Sequence, residues 1–164
     1  MIDIEHIVAE RIAKLDRHIT AFTAYKKLID QLMLEKPVFQ PDLFEQLKPE
    51  EKAIFDAYLK RFASIQDYLG AKIFPAILDL AGIGAQSLSE VLAIIEKEGI
   101  IDNLETWIGL REARNHLEHD YPAEMEQALL DLQFCINHYT TIMNYYNNVK
   151  QFIAKYGFGN HADS

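Results

Sequence analysis

Two arginines, two histidines, two glutamates and an aspartate fall within ten consecutive positions, residues 111–120 (REARNHLEHD), and Tyr121 and Pro122 follow at once. A run of charge at a helix end is most often a solvated face. Two kinds of chemistry would also use these residue types. The first is metal binding: His116 and His119 are three apart and share one side of a helix, and Glu112 stands four before His116. Di-iron helical proteins instead pair Glu and His at a spacing of three, supported by further carboxylates. No glutamate in this chain has a histidine three residues later, so no metal site and no cofactor are expected. The second is work on a phosphodiester. That needs a cation to hold the phosphate and to stabilise developing negative charge. It also needs a group that exchanges protons near neutral pH, for which imidazole is suited. Arg114 and His119 supply both, and Arg111 and His116 repeat the same five-residue offset as secondary candidates. Positions five apart diverge by about 140° on a straight helix. Pro122 disfavours helical geometry at Tyr121, so His119 is expected in the last turn or just beyond it, where it can swing back toward Arg114.

The elements that must position these groups read as helices throughout. A first helix is expected over about residues 3–35, with Ile4, Val8, Ile12, Leu15, Ile19, Phe22, Ile29 and Met33 as its apolar stripe. Pro37 and Pro41 end it, and Asp42 with Glu45 is read as the cap of a short turn. A second long helix begins near Pro49 and carries Ile54, Tyr58, Phe62, Ile65, Leu69, Ile73, Ile77 and Leu80. Pro75 lies inside that pattern and should kink the helix near Ala71 to Phe74. Ser87 with Glu90 signals the start of a short third helix closed by Gly99, and Asp102 with Glu105 repeats the signature for a fourth. Pro122 opens a fifth, striped by Met125, Leu129, Leu132, Ile136, Tyr139, Met143, Tyr146 and Ile153. No segment alternates with period two. The expectation is an all-α chain: an antiparallel up-and-down helical bundle of four long helices plus one short helix, a single domain over residues 1–156 with a frayed tail over 157–164.

Composition narrows the function classes. The 164 residues carry a net charge of −9, which argues against a broad basic surface for duplex DNA but leaves room for a small cationic cleft. The single cysteine, Cys135, excludes an intramolecular disulfide, sits among apolar residues and is expected to be packed; a reducing cytoplasm is the default location. No leader sequence and no membrane span are expected, since the longest uncharged run, 132–149, is rich in Asn and other polar residues. Trp107 is read as core or dimer interface, and His6, His18 and His138 as packing or surface residues.

Asn115 directly follows Arg114, and Tyr121 lies two after His119. With this context "RNHLEHDY", residues 114–121, resembles the Arg-Asn-x3-His-x-Tyr signature of HEPN domains, in their HepT-like branch. The likeness extends to the setting: a short helix and a glycine come before the motif helix, and a long proline-started helix comes after it. The resemblance implies a helical homodimer whose Arg and His gather in a cleft between protomers. It implies a metal-independent ribonuclease acting on RNA as a toxin, paired with an MNT-type nucleotidyltransferase antitoxin. By position, Arg114 would hold the scissile phosphate, His119 would serve in proton transfer, Asn115 would orient the site, and Tyr121 would be the residue silenced by transfer of AMP. The alternative implied by the long helices, the aromatic content and the acidity is a non-catalytic helical substrate-binding subunit that partners a nucleotidyltransferase.

Overall fold

Helix α1 spans Ile4–Glu35 and begins the chain. The computed structural model describes residues 3–120 and 124–158, with His119 and Asp120 described by their backbone alone. Among the described residues there are helices and turns and no strand. The all-α expectation holds. The helices after α1 are α2 (Pro41–Glu45), α3 (Pro49–Tyr68), α4 (Phe74–Leu80), α5 (Leu88–Lys97), α6 (Leu104–Asp120), α7 (Met125–Asn137) and α8 (Tyr139–Ala154). No described helix is long and apolar enough to cross a membrane.

Two of the expected long helices are divided. Pro75 has no N–H to offer the carbonyl four residues back. The chain before it widens into a π-helical turn over Leu69–Ile73, in which the Phe74 N–H reaches Leu69 O, five residues back. The expected fifth helix breaks at His138, whose backbone (φ −97°, ψ 18°) leaves the helical range between α7 and α8. There the Phe134 carbonyl lies 3.1 Å from the His138 N–H and 2.9 Å from its Nδ1, so side chain and ladder share one acceptor. The helix also starts later than expected: α7 begins at Met125, with Glu124 as its extended N-cap, and Pro122 lies outside the described residues.

The caps follow the expected logic, with shifts of one residue. Ser87 Oγ accepts the Glu90 N–H at 3.1 Å, and the Glu90 carboxylate accepts from Gln86 N at 2.9 Å, one residue earlier than a capping box requires. Gly99 closes that segment at φ +76°, a conformation costly for any residue with a Cβ. For α6 the cap is Asn103, whose Oδ1 accepts the Thr106 N–H at 2.7 Å, and not Asp102. Asp102 instead takes the Tyr145 hydroxyl at 2.8 Å. Asp42 and Glu45 do not cap a turn, because α2 starts at Pro41 and places both inside the helix.

By its contacts the chain divides into two units. One comprises Met1–Asp16, Gln66–Trp107 and Thr140–Ser164; the other comprises Arg17–Ile65 and Ile108–Tyr139. In the first, Trp107 packs against Phe74 and Tyr145 with ring centroids 5.3 and 5.8 Å away. It also lies over Gly70, where a Cβ would stand 3.3 Å from the indole. The buried Gln66 amide donates to the Trp107 carbonyl at 2.8 Å. Trp107 is thus a core residue of this unit. Arg11 caps the Lys72 carbonyl at 2.9 Å, beside the disturbed ladder. In the second unit Phe22 stacks on Tyr58 at 4.9 Å, and the buried Tyr58 hydroxyl donates to the Cys135 carbonyl at 2.9 Å. Leu110, Ala113 and Leu117 of α6 and Leu129, Leu132 and Ile136 of α7 are buried in the same unit.

Candidate functional site

Residues 114–120 of the motif lie on the last turns of α6. Trp107, Leu110, Arg114 and Leu117 follow one another at spacings of three, four and three, which is the stripe of a helix face turned to a core. Arg114 occupies a stripe position and is only 5% exposed. Among the described residues it and Gln66 are the buried polar side chains. A guanidinium cannot shed its charge, so it must be solvated by its surroundings in place of water. Its field reaches α7: burial pushes the Cys135 thiol up to about 12, nearby Asp131 adds to the rise, and Arg114 opposes it. Cys135 is accordingly buried and protonated, as its apolar neighbours in sequence suggested.

Asn115 is half-buried beside Arg114, while Arg111, Glu112 and Glu118 are exposed on the rest of the helix. The secondary pair does not converge, since Arg111 points to solvent and His116 turns toward α7. His116 Nδ1 stands 3.7 Å from Asp131 Oδ2, with the imidazole 58% exposed and the carboxylate 14%. Gln127 holds the other oxygen of that carboxylate at 3.2 Å. Position 119 is still helical, because α6 continues through Asp120. Its backbone thus lies in the last turn, about 140° around the axis from Arg114, and the expected swing of His119 back toward Arg114 falls on a side chain outside the described residues. The His119 side chain and all of Tyr121 lie outside the described residues. Among the described residues no three His, Cys, Asp or Glu side chains gather into a metal-binding set.

Sequence reasoning missed two features here. The burial of Arg114 was legible in the 107-110-114-117 spacing. Asp131 had no local signal, because its link to His116 joins two helices.

His6 and His18 have ordinary structural partners. His6 meets Glu10 at 3.4 Å on the surface of α1. His18 Nδ1 lies 3.0 Å from the Arg61 guanidinium, so that nitrogen is an acceptor and the ring proton sits on Nε2. Compared with known proteins, the chain matches no protein-family model, no curated protein and no solved structure.

Proposed function

We propose that the chain is a metal-independent endoribonuclease of the HEPN type, the toxin of a pair whose antitoxin is an MNT-type nucleotidyltransferase. The observation that carries this reading is Arg114. A permanently charged residue is kept on the core face of the motif helix, immediately before Asn115 and one turn and a half before His119. Packing alone would place a leucine there. A fixed, partly desolvated cation is what a pentavalent phosphorane needs, because its charge stabilisation is strongest where water is excluded.

In this reading the RNA 2′-hydroxyl is the nucleophile. Arg114 binds the non-bridging phosphate oxygens, Asn115 orients the substrate, and His119 transfers a proton. The products are a 2′,3′-cyclic phosphate and a 5′-hydroxyl. The helices form a HEPN-like antiparallel bundle, and two copies face their motif segments toward one cleft. Tyr121 accepts AMP from the antitoxin. The added phosphate competes for Arg114 and the adenosine blocks entry, so silencing requires no change of fold.

The test is cleavage of total RNA by the purified chain in EDTA, followed by mapping of the new ends. Cyclic-phosphate ends that disappear in His119→Ala, with the helical circular dichroism unchanged, support the reading. Cleavage that requires a divalent ion moves the assignment to metal chemistry. A chain that cuts no RNA and is harmless when expressed alone is instead the nucleotidyltransferase-partner binding subunit. Co-expression with the neighbouring nucleotidyltransferase should add the mass of AMP, and Tyr121→Phe should abolish the gain.

A further inference from the structure

The net charge of −9 is spread unevenly along the chain. Residues 11–18 and 60–72 hold six of its 16 Lys and Arg but only two of its 25 Asp and Glu. A local excess of cations in an acidic chain is the electrostatic feature that a polyanion needs in a partner.

Within the first unit the structure sets parts of these two segments side by side. Arg11 Nη1 donates to the Lys72 carbonyl at 2.9 Å. Lys14 Nζ stands 5.0 Å from the centre of the Tyr68 ring, a distance at which the ring quadrupole attracts a cation. Arg11 and Lys14 are three apart on α1, about 60° around its axis, so they share a face. Lys72 lies in the π-helical turn after α3; it and Lys14 are exposed, and Arg11 is half-buried. Arg11 uses one of its five N–H donors on the carbonyl. Among the described residues none of the three cations is paired with a carboxylate. Acids close to them in sequence are engaged elsewhere: Glu10 meets His6 at 3.4 Å, and Asp16 takes the Tyr146 hydroxyl at 2.5 Å and the Lys150 ammonium at 3.0 Å. Asp67 is exposed beside Tyr68 and is the acid that a bound anion must avoid.

We propose that Arg11, Lys14 and Lys72 form a cationic strip that binds the phosphates of single-stranded RNA. The choice of RNA rests on the ribonuclease reading, while the strip itself uses no residue of the motif. Two of the three heads are held in advance, Arg11 by the Lys72 carbonyl and Lys14 by the Tyr68 ring, so they lose less freedom when a phosphate arrives. Three cations are too few for a duplex at physiological salt, but they suit a flexible single strand whose phosphates follow the protein surface. Phosphate contacts carry no sequence information, so the strip holds RNA of any sequence and leaves selection to other residues.

The experiment is the salt dependence of binding to a fluorescent, single-stranded, mixed-sequence oligonucleotide bearing 2′-O-methyl groups, which cannot undergo 2′-hydroxyl attack. Binding is therefore read apart from cleavage. Each phosphate contact contributes about 0.7 to the slope of log K against log salt for a single strand. Lys14→Ala with Lys72→Ala should weaken binding at low salt and lower that slope by about 1.4, with an unchanged circular dichroism spectrum. Arg11→Gln, which keeps a donor for the Lys72 carbonyl, should lower it by about 0.7 more. A control chain with Lys27→Ala and Lys97→Ala carries the same change in net charge as the Lys14/Lys72 variant and should keep the original slope. Equal slopes in the Lys14/Lys72 variant and the unmodified chain overturn the strip, and do so even if the chain cleaves RNA, which leaves the ribonuclease reading standing. An equal fall in the control overturns it as well, because net charge alone then accounts for binding. Polyglutamate that binds as tightly as the oligonucleotide overturns the assignment to RNA. A chain that binds through these residues but cuts no unmodified RNA keeps the strip and loses the ribonuclease reading.

Discussion

Arg114 sits where the helix pattern calls for an apolar residue, a conflict between local pattern and side-chain chemistry that the proposed function accounts for. Its planar fork binds two oxygens at once, which a lysine ammonium does not do. Arg114→Lys keeps the charge and nearly the length, so the fold should survive, with an unchanged circular dichroism spectrum. Cleavage of RNA should fall by about a hundredfold; retention of full activity would assign Arg114 to structure alone. Cys135 gives a second residue-scale prediction. Burial raises its thiol in the folded state to about 12 from an ordinary value of about 9. Below pH 9 both folded and unfolded thiols are protonated, and the associated stability is fully present. It is lost as pH climbs from about 9 toward 12, where the unfolded thiol ionises first. The native chain should therefore resist a thiol reagent such as iodoacetamide at pH 8, and react fully once unfolded in guanidinium. Rapid labelling of the native chain would show that α7 opens around Cys135.

At the scale of elements, the caps decide where α5 starts and stops. Ser87→Ala deletes the acceptor for the Glu90 N–H and should destabilise the chain by about 1 kcal/mol. Gly99→Ala keeps the chain length but asks alanine to adopt φ +76°, at a cost of about 1–2 kcal/mol. Urea unfolding midpoints measure both, and equal stability of Gly99→Ala would mean that the turn rearranges. Both caps were legible in the sequence, as were the bounds of α1 and the start of α3, because they depend on residues within one turn of each other. Met33 shows the limit of a local pattern: it is 40% exposed, and Leu32, three residues after the buried Ile29, is buried in its place. Pro75 announced a disturbance, but no local residue specified a π turn, in which Gly70 lies against Trp107 from elsewhere in the chain. The break at His138 was hidden because its stripe continues without a gap across α7 and α8. The candidate site divides in the same way. The order Arg114, Asn115, His119, Tyr121 was readable along one segment, while Asp131 reaches His116 only when two helices pack.

At the scale of the whole molecule, the proposed cleft needs a second copy, because one arginine and one motif histidine make a thin site and a two-fold axis doubles them. The surface near the motif has the means to associate. Ile108 on α6 and Leu130 and Phe134 on α7 are 48%, 60% and 36% exposed. Gly109 brings the two helices close, since its Cβ position lies 3.9 Å from the Phe134 ring. Arg111 and Glu112 are exposed on the same helix as Ile108 and offer opposite charges to a symmetric partner. An isologous contact puts each apolar group against its counterpart's surroundings, so one substitution acts twice. Light scattering at micromolar concentration should then give twice the chain mass of 18.9 kDa. Leu130→Glu should give the single-chain mass with an unchanged helical circular dichroism spectrum, because a residue this exposed contributes little to the folded monomer. RNA cleavage should fall with the dimer and return in proportion to the dimer that re-forms at higher protein concentration. A Leu130→Glu protein that stays dimeric would move the interface elsewhere on the chain, and a monomeric variant with full activity would place the whole site within one protomer.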